Sequence, residues 1–114
     1  MRVDITYLED TSNGDVQLML EMIEIFSEQI DEIRLDMLKL LKEQDWFKLG
    51  KLAHKMKGTV SIVGMMELAA ELKKFELLTV DNKETEKYEE YINKFIFETQ
   101  EAEKELKEIA ENLF

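Results

Sequence analysis

The chain has a single histidine, His54, standing on a basic island of Lys48, Lys51, Lys55 and Lys57 in a protein of net charge -11. From Trp46 to Met66 those four lysines meet no aspartate or glutamate, although acids outnumber bases 26 to 15 over the whole chain. Solubility alone does not segregate charge in this way. A neutral imidazole offers one bare nitrogen as nucleophile, and ammonium groups around it attract and hold an anion that becomes attached there.

Other chemistries lack their residues. A two-metal carboxylate bundle needs Glu-x-x-His pairs on facing helices, but Lys51 occupies the third place before His54. Cationic neighbours also repel a metal ion, and no metal site is expected. A serine hydrolase needs a nucleophile beside the ring; Ser61 is two turns away, and the nucleophile elbow is missing. The absence of cysteine excludes disulfides, thiolate catalysis and iron–sulfur clusters. No glycine-rich phosphate loop or kinase motif is present, so the expectation is no cofactor, no nucleotide pocket and no kinase activity of its own.

The elements that position His54 follow from composition and period. With 114 residues the chain suits one domain, 1–114, and 45% apolar against 36% charged residues provides both a core and a solvated surface. Proline is absent and glycine numbers four, which leaves long stretches free to be helical. The start lacks a signal peptide and no apolar run approaches a membrane span, so a cytoplasmic location is expected. The acidic balance disfavours nucleic acid and anionic membrane and favours protein partners.

A turn cluster from Asp10 to Asp15 precedes a helix of about 15–43, with Met19, Ile23, Phe26, Ile30, Ile33 and Met37 among its core stripe. Before it, Val3, Ile5 and Tyr7 are read as a short helix or cap on the bundle end. Asp45 caps a second helix from Trp46, with Leu49, Leu52, Met56, Val60 and Val63 inward and Gly64 as its stop. A third helix is expected over Met65–Leu78, then a turn over Thr79–Asn82. Asp81 and Glu84 resemble a capping box opening a last helix that reaches Leu113 through Tyr88, Ile92, Phe95, Thr99, Ala102 and Leu106. The expected fold is all-α, an antiparallel up-down-up-down four-helix bundle with a short N-terminal helix or cap.

At about 100° per residue, Leu52 and Met56 lie roughly 160° from His54, so the imidazole faces solvent. Phe47, Gly50, Lys51, Lys57, Gly58 and Ser61 share its side of the helix. Glycine in an exposed helix costs about 1 kcal/mol relative to alanine, and open access to the ring explains Gly58. Phe47 is either an exposed docking contact or buried against a neighbour.

The run Ala53-His54-Lys55-Met56-Lys57-Gly58, followed by Gly64, Leu68, Leu72, Phe75 and Glu76, resembles the signature of histidine-containing phosphotransfer (HPt) domains. The resemblance extends over essentially the whole chain, as in a free-standing domain. It implies that His54 accepts a phosphoryl group, that Lys57 holds its oxygens, and that Gly58 keeps the approach open. Glu76, on the next helix, is the candidate acceptor for Nδ1–H, which would leave Nε2 bare as nucleophile; the other partner open to it is Lys73 on its own helix. Lys51, Lys55, Lys73 and Ser61 are the expected auxiliaries of phosphoryl access and docking. The implied partners are response-regulator receiver domains and a sensor or hybrid histidine kinase, with magnesium belonging to the receiver. The alternative is a non-transferring adaptor that binds a receiver or kinase through the same basic face.

Overall fold

The computed structural model describes residues 2–113. Five α-helices follow one another: α1 (Thr6–Ser12), α2 (Val16–Glu43), α3 (Trp46–Ile62), α4 (Met66–Val80) and α5 (Tyr88–Asn112), with a short 3₁₀ turn at Thr85–Lys87 before the last. Among the described residues there is no strand. Helices α2 to α5 form the antiparallel four-helix bundle, each packed on its neighbours in chain order and α5 closing back on α2. The body measures 46 × 21 × 20 Å, an elongation set by α2, whose 28 residues span about 42 Å at 1.5 Å per residue.

Local chemistry starts the two helices that matter most. Asp15 accepts the Leu18 amide and Asp45 accepts the Lys48 amide, each at 3.1 Å. Such caps satisfy otherwise orphaned donors and contribute about 1 kcal/mol each. At the other end of α3, Gly64 adopts φ +78°, the left-handed conformation that ends helices without a Cβ penalty. A Cβ there would also stand 2.6 Å from the Asp4 carbonyl oxygen, because the N-terminal segment lies across this turn and the Asp4 amide donates to Val63 at 2.8 Å. The first residues therefore do as expected: Val3 and Leu8 are buried and α1 caps the bundle end.

The α4–α5 connection departs from expectation. Helix α4 runs through Thr79 to Val80, and no capping box forms between Asp81 and Glu84; Glu84 instead adopts φ 51° and α5 starts at Tyr88. The reason lies in the core. Tyr88 is fully buried, its hydroxyl donates to the Leu78 carbonyl at 2.9 Å, and its ring meets Trp46 and Phe75 edge-on at 5.0 and 5.2 Å. These contacts tie the starts of α3 and α5 to the end of α4, and the turn residues serve to close α4: the Lys83 amide also donates to Leu78, at 3.0 Å. Across the bundle, Arg34 of α2 joins α5 by a hydrogen bond to Thr99 at 3.1 Å and an ion pair with Glu103.

Candidate functional site

Helix α3 buries Leu49, Gly50, Ala53, Met56 and Val60 and turns His54 outward, where its side chain is 71% exposed. On α4, Leu68, Leu72 and Phe75 point into the core, which leaves Glu76 at the seam with α3. There its carboxylate lies 2.8 and 3.1 Å from His54 Nδ1. A carboxylate accepts and does not donate, so Nδ1 carries the proton in this contact and the neutral ring leaves Nε2 bare toward solvent. Lys57 Nζ approaches the same carboxylate at 3.5 Å. Burial pushes the Glu76 carboxyl up, but the hydrogen bond from His54, the positive charge of that ring whenever it is protonated, and the Lys57 ammonium more than reverse this and hold it below the usual carboxylate range.

Three side chains from two helices thus converge: His54, Lys57 and Glu76. The remaining residues expected at the site fall out differently. Glu76 takes His54 and Lys57, not Lys73 of its own helix; Lys73 and Lys55 are exposed on the surface. Lys51 is also exposed and lies over the Phe47 ring, 4.6 Å from its centroid. Phe47 itself is 70% exposed, which decides between the two readings of that residue in favour of the surface. Ser61 is not brought to the imidazole: its hydroxyl donates to the Lys57 carbonyl at 2.7 Å and is occupied on its own helix. Lys48 and Lys74 pair with Asp45 and Glu71, at 3.8 and 3.5 Å, as surface charges commonly do.

The two glycines near His54 differ. A Cβ at Gly58 would have nothing within 4 Å, so its surface is open. Gly50, grouped by helical angle with the exposed face, is buried against Thr79 of α4; helical angle alone does not reveal how closely a neighbouring helix approaches. Replacing Gly58 with alanine is expected to stabilise the protein by about 1 kcal/mol through helix propensity, since the added methyl meets open space. Thermal melts of the variant against wild type measure the effect.

Beside the ring, α3 and α4 enclose a groove of about 750 Å³ with Phe47, Lys51 and Val80 at its margin and Thr79 among its lining. Val80, 72% exposed, escapes a sequence reading that ends the helix at Leu78. Its signal is the four-residue step from Glu76, visible only once α4 is known to continue. Among the described residues no group of three or more His, Cys, Asp and Glu side chains is placed to hold a metal ion, and no helix is long and apolar enough to cross a membrane.

The class is that of an all-α four-helix bundle displaying a lone histidine on the outer face of one helix. The family model described as the Hpt domain matches residues 21–113, and the chain belongs to that family. Its role is phosphotransfer in two-component signalling, in which Hpt domains are phosphocarriers rather than kinases and interact with receiver domains and kinases. Comparison with curated proteins and with solved structures gives no significant match.

Proposed function

We propose that His54 is the carrier residue: Nε2 takes a phosphoryl group from the aspartyl phosphate of a receiver domain or from a hybrid kinase, in the cytoplasm, and passes it to the aspartate of another receiver. The observation that carries this reading is the 2.8 Å contact between Glu76 and Nδ1 of a ring whose other side is open. In the acceptance step the Nε2 lone pair forms a bond to phosphorus while the bond from phosphorus to the aspartyl oxygen breaks and the carboxylate departs. Nδ1 keeps its proton throughout, so the phosphorylated ring is cationic and the ionised Glu76 beside it stabilises that charge. Passing the group onward reverses these bond changes on a second aspartate.

Lys57 complements the transferred group. In the free protein it shares the Glu76 carboxylate; three residues from His54 on the same side of α3, its ammonium is within a side-chain rotation of phosphoryl oxygens on Nε2. Lys57→Ala is expected to slow transfer by roughly tenfold or more while changing stability by less than about 1 kcal/mol, since a partly exposed ion pair as long as 3.5 Å contributes little. A large drop in melting temperature would make Lys57 a structural residue. Gly58 leaves room for the incoming aspartate, and Lys51, Lys55 and Lys73 provide positive charge for an acidic receiver pocket. The magnesium ion belongs to that pocket and not to this chain.

The test is incubation with a phosphorylated receiver domain and assay for acid-labile, alkali-stable label. Label is expected with the receiver and not with ATP alone. No label under conditions that charge another HPt domain would leave the adaptor reading, in which the same basic face binds without relaying phosphate.

A further inference from the structure

Gly50 and Gly58 lie on the histidine's helix one turn to either side of His54, and only one of them has a close neighbour. A Cβ at Gly50 would overlap Thr79 Oγ1 and stand 3.2 Å from Thr79 Cβ, whereas at Gly58 it would meet open space. Glycine is the poorest helix former after proline, so a helix interior that keeps one at a buried point of contact uses its missing side chain. At Gly50 that missing side chain lets α4 approach α3.

This approach is one turn from the site along both helices. Gly50 precedes His54 by four residues, and Thr79 follows Glu76 by three, so the Gly50–Thr79 contact is the next rung of the same antiparallel pair. Thr79 is also fastened to Glu76: its hydroxyl donates to the Glu76 carbonyl at 2.6 Å. Rotating the threonine away from an added methyl would break that bond and still leave the two Cβ atoms too close. Relief therefore requires α4 to move outward at Thr79, and a single helical turn is stiff enough to take Glu76 with it.

We infer that Gly50 is a positioning residue for His54: by admitting Thr79 it holds the Glu76 carboxylate within hydrogen-bond reach of Nδ1 and so keeps the ring in the form with Nε2 bare. The inference rests on His54 being the phosphoryl acceptor, but its structural half does not. Contacts of 2.8 and 3.1 Å fall within the ordinary N–H···O range, and an outward shift of a few tenths of an ångström lengthens the first and carries the second beyond it.

The experiment compares wild type, Gly50→Ala and the double variant Gly50→Ala/Thr79→Gly, which moves the missing side chain from α3 to α4. Nitrogen-15 NMR of the neutral His54 ring, recorded without phosphate, reports which nitrogen carries the proton; transfer from a phosphorylated receiver is measured separately. Wild type is expected to show one tautomer, protonated at Nδ1. Gly50→Ala is expected to mix the two tautomers, to melt lower despite its better helix former, and to transfer about tenfold more slowly. The double variant should recover the single tautomer and most of the rate. If Gly50→Ala does not fold, the double variant is read against wild type alone, and a single Nδ1-protonated tautomer supports the inference.

Gly50→Ala with wild-type ring signals and rate overturns the inference, whatever its melting temperature, because the contact would then be structural only. A double variant that still mixes tautomers overturns it as well. Failure of wild type to take label on His54 would remove the carrier reading while leaving the ring signals, and hence the positional claim, to be judged on their own.

Discussion

Replacing His54 with glutamine is expected to reduce phosphoryl acceptance from a charged receiver to background while leaving the fold intact. His54 is the only imidazole in the chain and cysteine is absent, so no other side chain of comparable nucleophilicity stands ready to take over. Glutamine keeps a donor that can reach Glu76 but presents no basic nitrogen to phosphorus. The position is 71% exposed, and surface substitutions of this kind usually change stability by less than about 0.5 kcal/mol. Unchanged melting with lost acid-labile label is the expected pair of results. Label retained at wild-type rate would place the acceptor elsewhere and remove the central claim.

Glu76→Ala is expected to slow transfer by roughly 10- to 100-fold, by analogy with the loss when a carboxylate that orients a metal-binding histidine is removed. Without the carboxylate, Nδ1–H loses its acceptor, the ring is free to adopt the tautomer with Nε2 protonated, and the charge on the phosphorylated ring loses its counter-ion. Glu76→Gln keeps an acceptor oxygen and should fall between alanine and wild type. A rate for Glu76→Ala equal to wild type would reduce the contact to surface pairing.

The same carboxylate gives a pH signature with a definite sign. Its folded-state pKa lies below the ordinary 4.5, so its contribution to stability is present in full above that value and is lost as pH falls through the folded one. The stability difference between wild type and Glu76→Gln should accordingly narrow as pH falls through the carboxylate's folded-state range. Denaturant melts at several pH values measure this difference directly. A gap that widened in acid would contradict the assigned interaction.

What could be read from the chain was whatever depends on neighbours three and four residues away. The caps at Asp15 and Asp45 are such features, as are the inward stripe of α2 and the outward position of His54, because helical period places each residue relative to its own axis. The run from Ala53 to Gly58, with Glu76 further along the chain, marked the family by resemblance and not by helical period, and the family model agrees over residues 21–113. The last helix shows where this ends. Asp81 and Glu84 have the spacing of a capping box, but burial of Tyr88 against Trp46 and Phe75 outweighs a local preference of about 1 kcal/mol and moves the start of α5 to Tyr88.

By itself, then, the order of residues determined an all-α bundle and a solvent-facing histidine among lysines. Tertiary structure alone decided that Glu76 turns to His54 and Lys57 and not to Lys73, that Gly50 is a point of helix contact while Gly58 is open, and that Val80 joins the groove beside the ring. The physical reason is the same in each case. Helical period gives direction around one axis, whereas these outcomes depend on the distance and register between two axes, which are set by the packing of side chains distant in sequence.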